Sequence, residues 1–218
     1  MWRQKSDMQK LKHVAVAGNI GAGKTTLAKK LSHHYGWKTE FEAVENNPYL
    51  EDFYADMKQW SFHLQVYFLN SRLNQVKRIR KEEHTVVQDR SIYEDCFVFA
   101  KNLYESGNMT ERDYENYLAL FKSMSPVITP PDLLIYLRAD IPKLVGQIEK
   151  RGRNYEESIR IDYLKTLNQH YEEWIKNYDL GKLIIIDVNQ LDYLNNVEDF
   201  ALIVSKIDTE INGLFSNQ

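Results

Sequence analysis

Residues 13–25 of the 218-residue chain read His-Val-Ala-Val-Ala-Gly-Asn-Ile-Gly-Ala-Gly-Lys-Thr. The opening apolar run has the length of a buried strand, and it stops at Gly18. From Gly18 to Thr25 the sequence matches Gly-x-x-x-x-Gly-Lys-Ser/Thr at every specified position. A helix is predicted over residues 24–35 and ends at Gly36. A glycine-rich loop between a strand and a helix predicts a phosphate-binding site.

The residue types in this loop suit a phosphate. Glycines let backbone N–H groups approach phosphate oxygens, and the following helix presents its positive end. Lys24 would place a cation on the β- and γ-phosphates, and the Thr25 hydroxyl can ligate Mg²⁺. GTPases, ATPases and small-molecule kinases share this loop, so the acceptor is left open. The predicted phosphate contacts are Gly18, Asn19, Ile20, Gly21, Ala22, Gly23, Lys24, Thr25 and Thr26.

Strands and helices are predicted to alternate along the chain, which indicates an α/β protein with a parallel sheet covered on both faces. In such sheets, ligands bind outside the carboxyl ends of the strands. Strands are predicted at 13–17, 37–43, 85–88, 132–137 and 182–188. Helices are predicted at 24–35, 49–57, 60–80, 92–104, 111–124, 141–150, 163–178 and 197–214. The 60–80 helix carries its apolar stripe at Phe62, Val66, Leu69, Leu73 and Val76.

The composition is that of a globular protein, with 43% hydrophobic and 27% charged residues and a formal net charge of -3. This charge gives no support for nucleic-acid binding. Apolar runs have strand length, and neither a membrane span nor a secretory signal is predicted. The single cysteine, Cys96, rules out an internal disulfide and a multi-cysteine metal site. We predict a polar tail at 1–10, one domain at 11–218 and a cytoplasmic location.

Carboxylates follow two of the predicted strands. Asp89 ends the third strand and is followed by Arg90, and Glu42 ends the second strand. In a parallel sheet both acids would lie beside the phosphate loop, where an acid can hold Mg²⁺ or accept a proton from a hydroxyl. Spacing alone does not distinguish Glu42 from Glu40 and Glu45. A surface ion pair is the alternative for Asp89 and Arg90.

Residues 150–154 read Lys-Arg-Gly-Arg-Asn and lie between two predicted helices. Arginines on a glycine-containing loop suit a lid over phosphates, predicted at about 147–158. The alternative is a solvated helix end, where cations also suit the helix dipole.

Together these motifs resemble the deoxyribonucleoside kinase family, in particular its bacterial deoxyadenosine/deoxyguanosine kinase branch. The resemblance runs from about residue 13 to about residue 174, and it implies a P-loop kinase fold with an arginine-bearing lid. Several independent motifs in the same order make it more specific than the phosphate loop alone. The matching stretches are 18–25, 41–45, 60–67, 89–91 and 151–153.

The resemblance implies a role for each matching side chain. Glu42 corresponds to the general base that deprotonates the nucleoside 5′-hydroxyl, and Arg90 to the arginine that orients this base. Tyr54 and Glu156 correspond to the pair that holds the sugar 3′-hydroxyl. Gln65 corresponds to the residue that reads the base edge through its amide.

On the donor side, the resemblance implies that Asp89 and Thr25 hold Mg²⁺. Arg151 and Arg153 correspond to lid arginines on the adenine and phosphates of ATP. Many relatives have a further arginine four residues before this motif, where the chain has Gln147. Adenine stacking is therefore expected to be weaker or to be supplied differently.

Selection of the nucleobase is expected to involve Arg72 and Asp95. They resemble a charged pair found in relatives that accept deoxycytidine and purines. Gln65 and Arg72 are seven residues apart on one predicted helix and share a face. A guanidinium held by Asp95 could donate to a purine ring. The alternative is an ion pair between helices without ligand contact. Phe99 could stack on the base, although an isolated aromatic is more often part of a core.

We therefore predict an ATP- and Mg²⁺-dependent deoxynucleoside kinase, with deoxyadenosine or deoxyguanosine and a possible third substrate, deoxycytidine. Lys24, Glu42 and Arg90 would be its catalytic residues, and a homodimer is expected. Two departures from the family pattern are Ala43, which replaces a proline, and Asn47, which replaces a tryptophan of animal relatives. The alternatives are a nucleoside monophosphate kinase of the thymidylate kinase type and a non-catalytic nucleotide-binding regulator.

Overall fold

The computed structural model describes residues 11–41, 47–153, 156 and 159–212. Five parallel strands form one sheet in the order β2-β3-β1-β4-β5. The strands are β1 (His13–Gly18), β2 (Lys38–Glu40), β3 (Val86–Asp89), β4 (Leu133–Arg138) and β5 (Lys182–Asp187). This architecture confirms the predicted α/β fold.

Helices connect successive strands. Between β3 and β4, the helix that begins at Ile92 contains a π-helical segment at Asp95–Ala100. A single 3-10 turn, Ser125–Val127, precedes β4. The α-helices are α1 (Lys24–Tyr35), α2 (Leu50–Ala55), α3 (Met57–Lys81), α4 (Ile92–Glu94), α5 (Lys101–Glu105), α6 (Glu111–Met124), α7 (Ile141–Arg151), α8 (Ile161–Lys176) and α9 (Val197–Asn212).

The two faces of β1 belong to two different cores, since successive side chains of a strand point to opposite faces. Val14 and Val16 pack in a core that includes side chains of α1 and α9. Ala15 and Ala17 pack in the other core, with side chains of α3, α6 and α8. The sheet is therefore covered on both faces, and burial of apolar surface on both sides stabilises it.

The buried face of α3 differs from the predicted apolar stripe. Phe62, Val66 and Leu73 are only half-buried, whereas Gln65 and Arg72 are almost fully buried. The predicted stripe is confirmed at Leu69 and Val76, which are buried, but it counted apolar residues alone, and this helix also turns two polar side chains inward. Arg72 finds buried hydrogen-bond partners in Asp95 and Gln75, which an apolar count does not detect.

The strand register sets the position of the site. Val16 of β1 pairs with Asp89 of β3, so Gly18 and Asp89 lie at the same edge of the sheet. The second strand ends at Glu40, earlier than predicted. Glu42 and Ala43 lie outside the described residues. Among the described helices, none has the length and apolarity needed to cross a membrane.

Candidate active site

A cavity of about 760 Å³ opens at the carboxyl edge of the sheet. Phe41, the last described residue before the Glu42 position, lies in its wall. The cavity is bounded by the phosphate loop on one side and by α2 and α3 on another. Of the predicted site residues, it is lined by Ile20, Gly21, Ala22, Gly23, Lys24, Thr25, Thr26, Tyr54, Gln65, Asp89, Arg90, Asp95, Phe99, Arg151, Arg153 and Glu156.

The phosphate loop has the backbone that its glycines predict. Gly21 and Gly23 have φ values of 85° and 95°, in the region that favours glycine. A Cβ on Gly21 would lie 2.7 Å from the carbonyl oxygen of Leu144, and one on Gly23 would overlap the Tyr193 hydroxyl. The buried Lys24 donates from Nζ to the Asn19 carbonyl at 2.9 Å. Close packing and backbone conformation therefore both require glycine in this loop.

Two predicted phosphate-loop residues contact the protein interior instead of lining the cavity. The backbone N–H of Gly18 donates to a carboxylate oxygen of Glu94 at 3.3 Å. The Asn19 side chain donates to the Leu164 carbonyl and to Asn168, both on α8. These bonds fix the start of the loop to two helices that the sequence did not connect with it.

Thr25 and Asp89, the two predicted Mg²⁺ ligands, are in contact, and the Thr25 hydroxyl donates to Asp89 Oδ2. Asp89 is 2% exposed, and its Oδ1 atom is buried with no hydrogen-bond partner among the described residues. An unpaired buried carboxylate oxygen is costly, and a cation would satisfy it. One hydroxyl and one carboxylate fit Mg²⁺, which keeps several waters and substrate phosphate oxygens as its other ligands.

Arg90 lies beside this pair and is 4% exposed. Its φ is 69°, and it is the one non-glycine residue with a positive φ in the described ranges. The guanidinium donates to the Tyr171 hydroxyl at 3.1 Å and stacks over the Phe99 ring at 4.2 Å. Phe99, predicted as a base-stacking residue, is thus in contact with the arginine.

Glu94 lies next to the site and was not predicted from the sequence. It is fully buried, and burial raises the pKa of its carboxyl, while Arg90 and Lys24 act in the opposite direction. It accepts from the backbone of Ser91 at 2.8 Å and from the Tyr171 hydroxyl at 2.9 Å. The Ser-x-x-Glu spacing of a helix capping box was a readable signal for the first contact. No local sequence pattern indicated the contact with Tyr171.

The nucleoside side of the cavity is formed by α2 and α3. Gln65 is 3% exposed, and its Oε1 atom has no hydrogen-bond partner within the described part of the chain. Tyr54 from α2 and the apolar side chains Leu64 and Phe68 from α3 lie in the same wall. An apolar wall with one buried amide is suited to a flat heterocycle with a polar edge.

The predicted Arg72–Asp95 pair is formed, with 3.2 Å between Arg72 Nε and Asp95 Oδ2. Arg72 also donates to Gln75 Oε1 at 3.0 Å and to the Asp89 carbonyl at 3.2 Å. Asp95 lines the cavity, but Arg72 is not among the described lining residues. The guanidinium therefore connects α3 to the end of β3, and Asp95 presents the pair to the cavity.

A buried chain of hydrogen bonds, also missed from the sequence, leads to the cavity wall. His13 pairs with Gln88 Oε1 at 2.8 Å, and Gln88 donates to Gln75 Oε1 at 2.8 Å. Gln75 then donates to the carbonyl of Phe41 at 2.6 Å. Since Gln88 donates through its amide nitrogen, its oxygen must accept, and His13 Nε2 must carry the proton.

The lid residues engage one another. Arg151, the last residue of α7, forms two hydrogen bonds with Glu156, at 2.9 and 2.5 Å. Arg153 contacts the same carboxylate at 3.5 Å. Glu156 is 5% exposed, so its two arginine partners neutralise a buried charge. The other predicted lid positions between Arg153 and Ile159 lie outside the described residues.

The sequence is similar to those of known deoxynucleoside kinases. The family profile described as deoxynucleoside kinase matches residues 14–212. The chain is 40% identical to the deoxyadenosine/deoxycytidine kinase of Bacillus subtilis, covering 91% of this chain and 93% of that protein. It is 35% identical to a deoxyguanosine kinase of Lactobacillus acidophilus, covering 89% and 88%.

The fold is also that of solved kinases. A deoxyadenosine kinase from M. mycoides with bound dCMP and dCDP superimposes with a TM-score of 0.82, at 33% identity, over 90% of this chain and 99% of that chain. The same enzyme with bound dATP gives a TM-score of 0.80 at 33% identity, over 90% and 98% of the two chains. This chain belongs to the deoxynucleoside kinase family and is an ATP-dependent kinase that phosphorylates deoxynucleosides.

Proposed function

We propose that this kinase transfers the γ-phosphoryl group of ATP to the 5′-hydroxyl of a deoxynucleoside whose base carries an exocyclic amino group. Deoxyadenosine would be the preferred substrate and deoxycytidine the second, with deoxyguanosine weaker. The product would be a 5′-monophosphate for nucleotide salvage.

The observation that carries this choice is the unpaired Oε1 atom of Gln65 in the cavity wall. A buried acceptor needs a donor, and the amino groups of adenine and cytosine supply one at the base edge. Guanine and thymine carry a carbonyl oxygen at the corresponding ring position, so the Gln65 amide would have to turn its nitrogen toward them, and Oε1 would gain no donor there. The names of the Bacillus subtilis and M. mycoides relatives support the same preference.

The proposed mechanism is in-line transfer, in which positioning and charge neutralisation supply most of the catalysis. Lys24 would bind the β- and γ-phosphates, and Arg90 would stabilise the charge that develops between the attacking and transferred groups. Glu42 would accept the proton of the 5′-hydroxyl. Its neighbour Phe41 lies in the cavity wall, which supports this assignment.

The chain's own Mg²⁺ ligands would be Thr25 and Asp89. When bound, the ion would neutralise charge on the β- and γ-phosphates. The hydrogen bond between the two side chains already brings both oxygens together. The unpaired Oδ1 atom of Asp89 supports a cation as its partner.

The sugar and lid roles require a change of partners. Glu156 is engaged by Arg151 and Arg153, so binding the 3′-hydroxyl together with Tyr54 would require it to share those contacts. ATP phosphates would compete for the same arginines. We propose that the Arg151–Glu156 pair loosens when both substrates bind.

The substrate preference is tested with a panel of deoxyadenosine, deoxycytidine, deoxyguanosine and thymidine, each with ATP and Mg²⁺. The corresponding monophosphates are included as alternative acceptors. We expect kcat/KM to be highest for deoxyadenosine and lowest for thymidine. Equal rates with thymidine and deoxyadenosine would contradict amide readout by Gln65, and phosphorylation of monophosphates alone would contradict a nucleoside acceptor.

The assignment of Glu42 as the general base is tested by comparing three variants, Glu42→Gln, Glu40→Gln and Glu45→Gln. We expect the first to lower kcat by about two to four powers of ten. Glu40 pairs with Arg78 at 2.8 Å, so its variant should affect stability more than turnover. A normal kcat in Glu42→Gln would remove this residue from the base role.

We also propose a homodimer and a cytoplasmic location. Phe97 is 41% exposed and packs against Phe121 of α6, which leaves apolar surface at this helix pair. Burial of that surface in a second subunit would stabilise a dimer. Light scattering of the wild type and of Phe97→Asp tests the dimer, and cell fractionation tests the location.

A further inference from the structure

The backbone of Arg90 is in a strained conformation and needs external support. Its φ of 69° lies in the left-handed region, which a residue with a long side chain rarely adopts. Such conformations persist only where surrounding contacts hold them, and they cluster at functional sites. The contacts that hold Arg90 therefore bear on its function.

Three of the hydrogen bonds at or next to this strained residue lie within the described part of the chain. Its N–H donates to the Val16 carbonyl at 3.0 Å, which fixes it to β1. The next N–H, that of Ser91, donates to Glu94 Oε2 at 2.8 Å. The guanidinium donates to the Tyr171 hydroxyl at 3.1 Å.

Glu94 connects the last two of these bonds with the phosphate loop. Its Oε1 atom accepts from the Tyr171 hydroxyl at 2.9 Å and from the Gly18 N–H at 3.3 Å. The same carboxylate thus contacts the first residue of the loop, the backbone next to Arg90, and the hydroxyl that holds the Arg90 side chain. Gly18 and Tyr171 are 76 and 77 residues away in sequence.

A helix cap alone does not explain this arrangement. Capping of α4 uses the Oε2 atom, which also contacts the Ser91 hydroxyl at 3.3 Å. The Oε1 atom faces Gly18 and Tyr171, neither of which belongs to that helix. Full burial of a carboxylate costs free energy. Capping alone does not require this cost, because an exposed side chain can cap a helix equally well.

We propose that Glu94 and Tyr171 act as a positioning pair that fixes the Arg90 guanidinium relative to the phosphate loop. Neither residue is among the described residues lining the cavity, so the pair acts through Arg90 and not on substrate directly. The proposal rests on the role proposed above for Arg90 in phosphoryl transfer.

Tyr171→Phe is the primary test, because it removes one hydroxyl and keeps the ring. Tyr136→Phe is a matched control, since the two rings stack with centroids 5.8 Å apart. The Tyr136 hydroxyl donates to Glu172 at 2.9 Å, and neither residue is among the described residues that line the cavity. We expect Tyr171→Phe to lower kcat about ten-fold or more, because a hydrogen bond to a charged group is lost. The KM for ATP and for deoxynucleoside should change by less than about three-fold.

The dependence on Arg90 is tested in an Arg90→Lys background. If Tyr171 acts through the guanidinium, Tyr171→Phe should have little further effect on kcat there. Glu94→Gln should also lower kcat. If the two residues act together, the fold-decrease in kcat of the double variant Glu94→Gln/Tyr171→Phe should be smaller than the product of the two single fold-decreases. Urea unfolding of each variant confirms that the kinetics come from folded protein.

Any one of three results would overturn the positioning role. The first is a normal kcat in folded Tyr171→Phe, and the second is a full additional loss of kcat when that change is made in Arg90→Lys. The third is a loss of equal size in Tyr136→Phe, because the effect would then follow from removing either buried hydroxyl of the stacked rings and not from the contact with Arg90. Failure of the proposed substrate choice is distinguishable, because it would appear in the wild type on the substrate panel.

Discussion

The protonation of His13 provides a prediction with a calculable size. His13 is buried at the start of β1, and burial lowers the pKa of its imidazole from 6.5 to about 4. Its neutral form donates to Gln88 and joins the hydrogen-bond chain that ends at Phe41. Acidification should therefore destabilise the fold, because the unfolded chain binds this proton more tightly than the folded one.

The sign and the pH window follow from the two pKa values. A histidine with a lowered folded pKa contributes its full stability above pH 6.5 and loses it as the pH falls toward 4. Between pH 7 and pH 5 the expected loss in the free energy of unfolding is about 2 kcal/mol. Burial raises the pKa of Glu94, so that carboxyl acts with the opposite sign and must be separated from His13.

The contribution of His13 is separated from that of Glu94 with the variant His13→Gln. Its amide can donate to Gln88 from a similar position but does not titrate. Urea unfolding at pH 7 and at pH 5 gives the acid-induced loss for each protein. We expect this loss to be about 2 kcal/mol smaller in His13→Gln than in the wild type. His63→Gln, at an exposed position on α3, is the control and should keep the wild-type loss. An equal acid-induced loss in His13→Gln and the wild type would refute the argument.

Two further predictions concern the walls of the cavity. Gln75→Leu leaves the buried Gln88 amide nitrogen without its acceptor and the part-buried Phe41 carbonyl without its donor, so unfolding should require about 2–6 kcal/mol less free energy, whereas exposed Gln59→Leu should change little in a urea titration. Gly23→Ala should raise the KM for ATP about ten-fold or more, because its Cβ would overlap the Tyr193 hydroxyl. Adding Tyr193→Phe should restore part of the ATP affinity, since the nearest ring carbon is 3.2 Å from that Cβ. No recovery in the double variant would show that backbone strain at φ 95° is the dominant cost.

The sequence by itself determined the phosphate loop, the order of strands and helices, and Asp89 at a strand end. These features depend on local patterns: glycine spacing, apolar runs and alternation of elements. The family motifs added the pairing of Arg72 with Asp95, which is formed at 3.2 Å. They also identified Gln65, which lies in the cavity wall.

Only the tertiary structure decided which distant groups share the interior. The contacts of Glu94 with Gly18 and Tyr171 depend on the register of β1 against β3 and on the packing of α8, and no local pattern encodes either. Arg72 was expected either to face a ligand or to form an ion pair between helices, and its described bonds go to Asp95 in the cavity wall, to Gln75 and to the Asp89 carbonyl. The physical reason is that a polar side chain is buried where the fold supplies a partner, and partners far apart in the chain meet only after the sheet has formed.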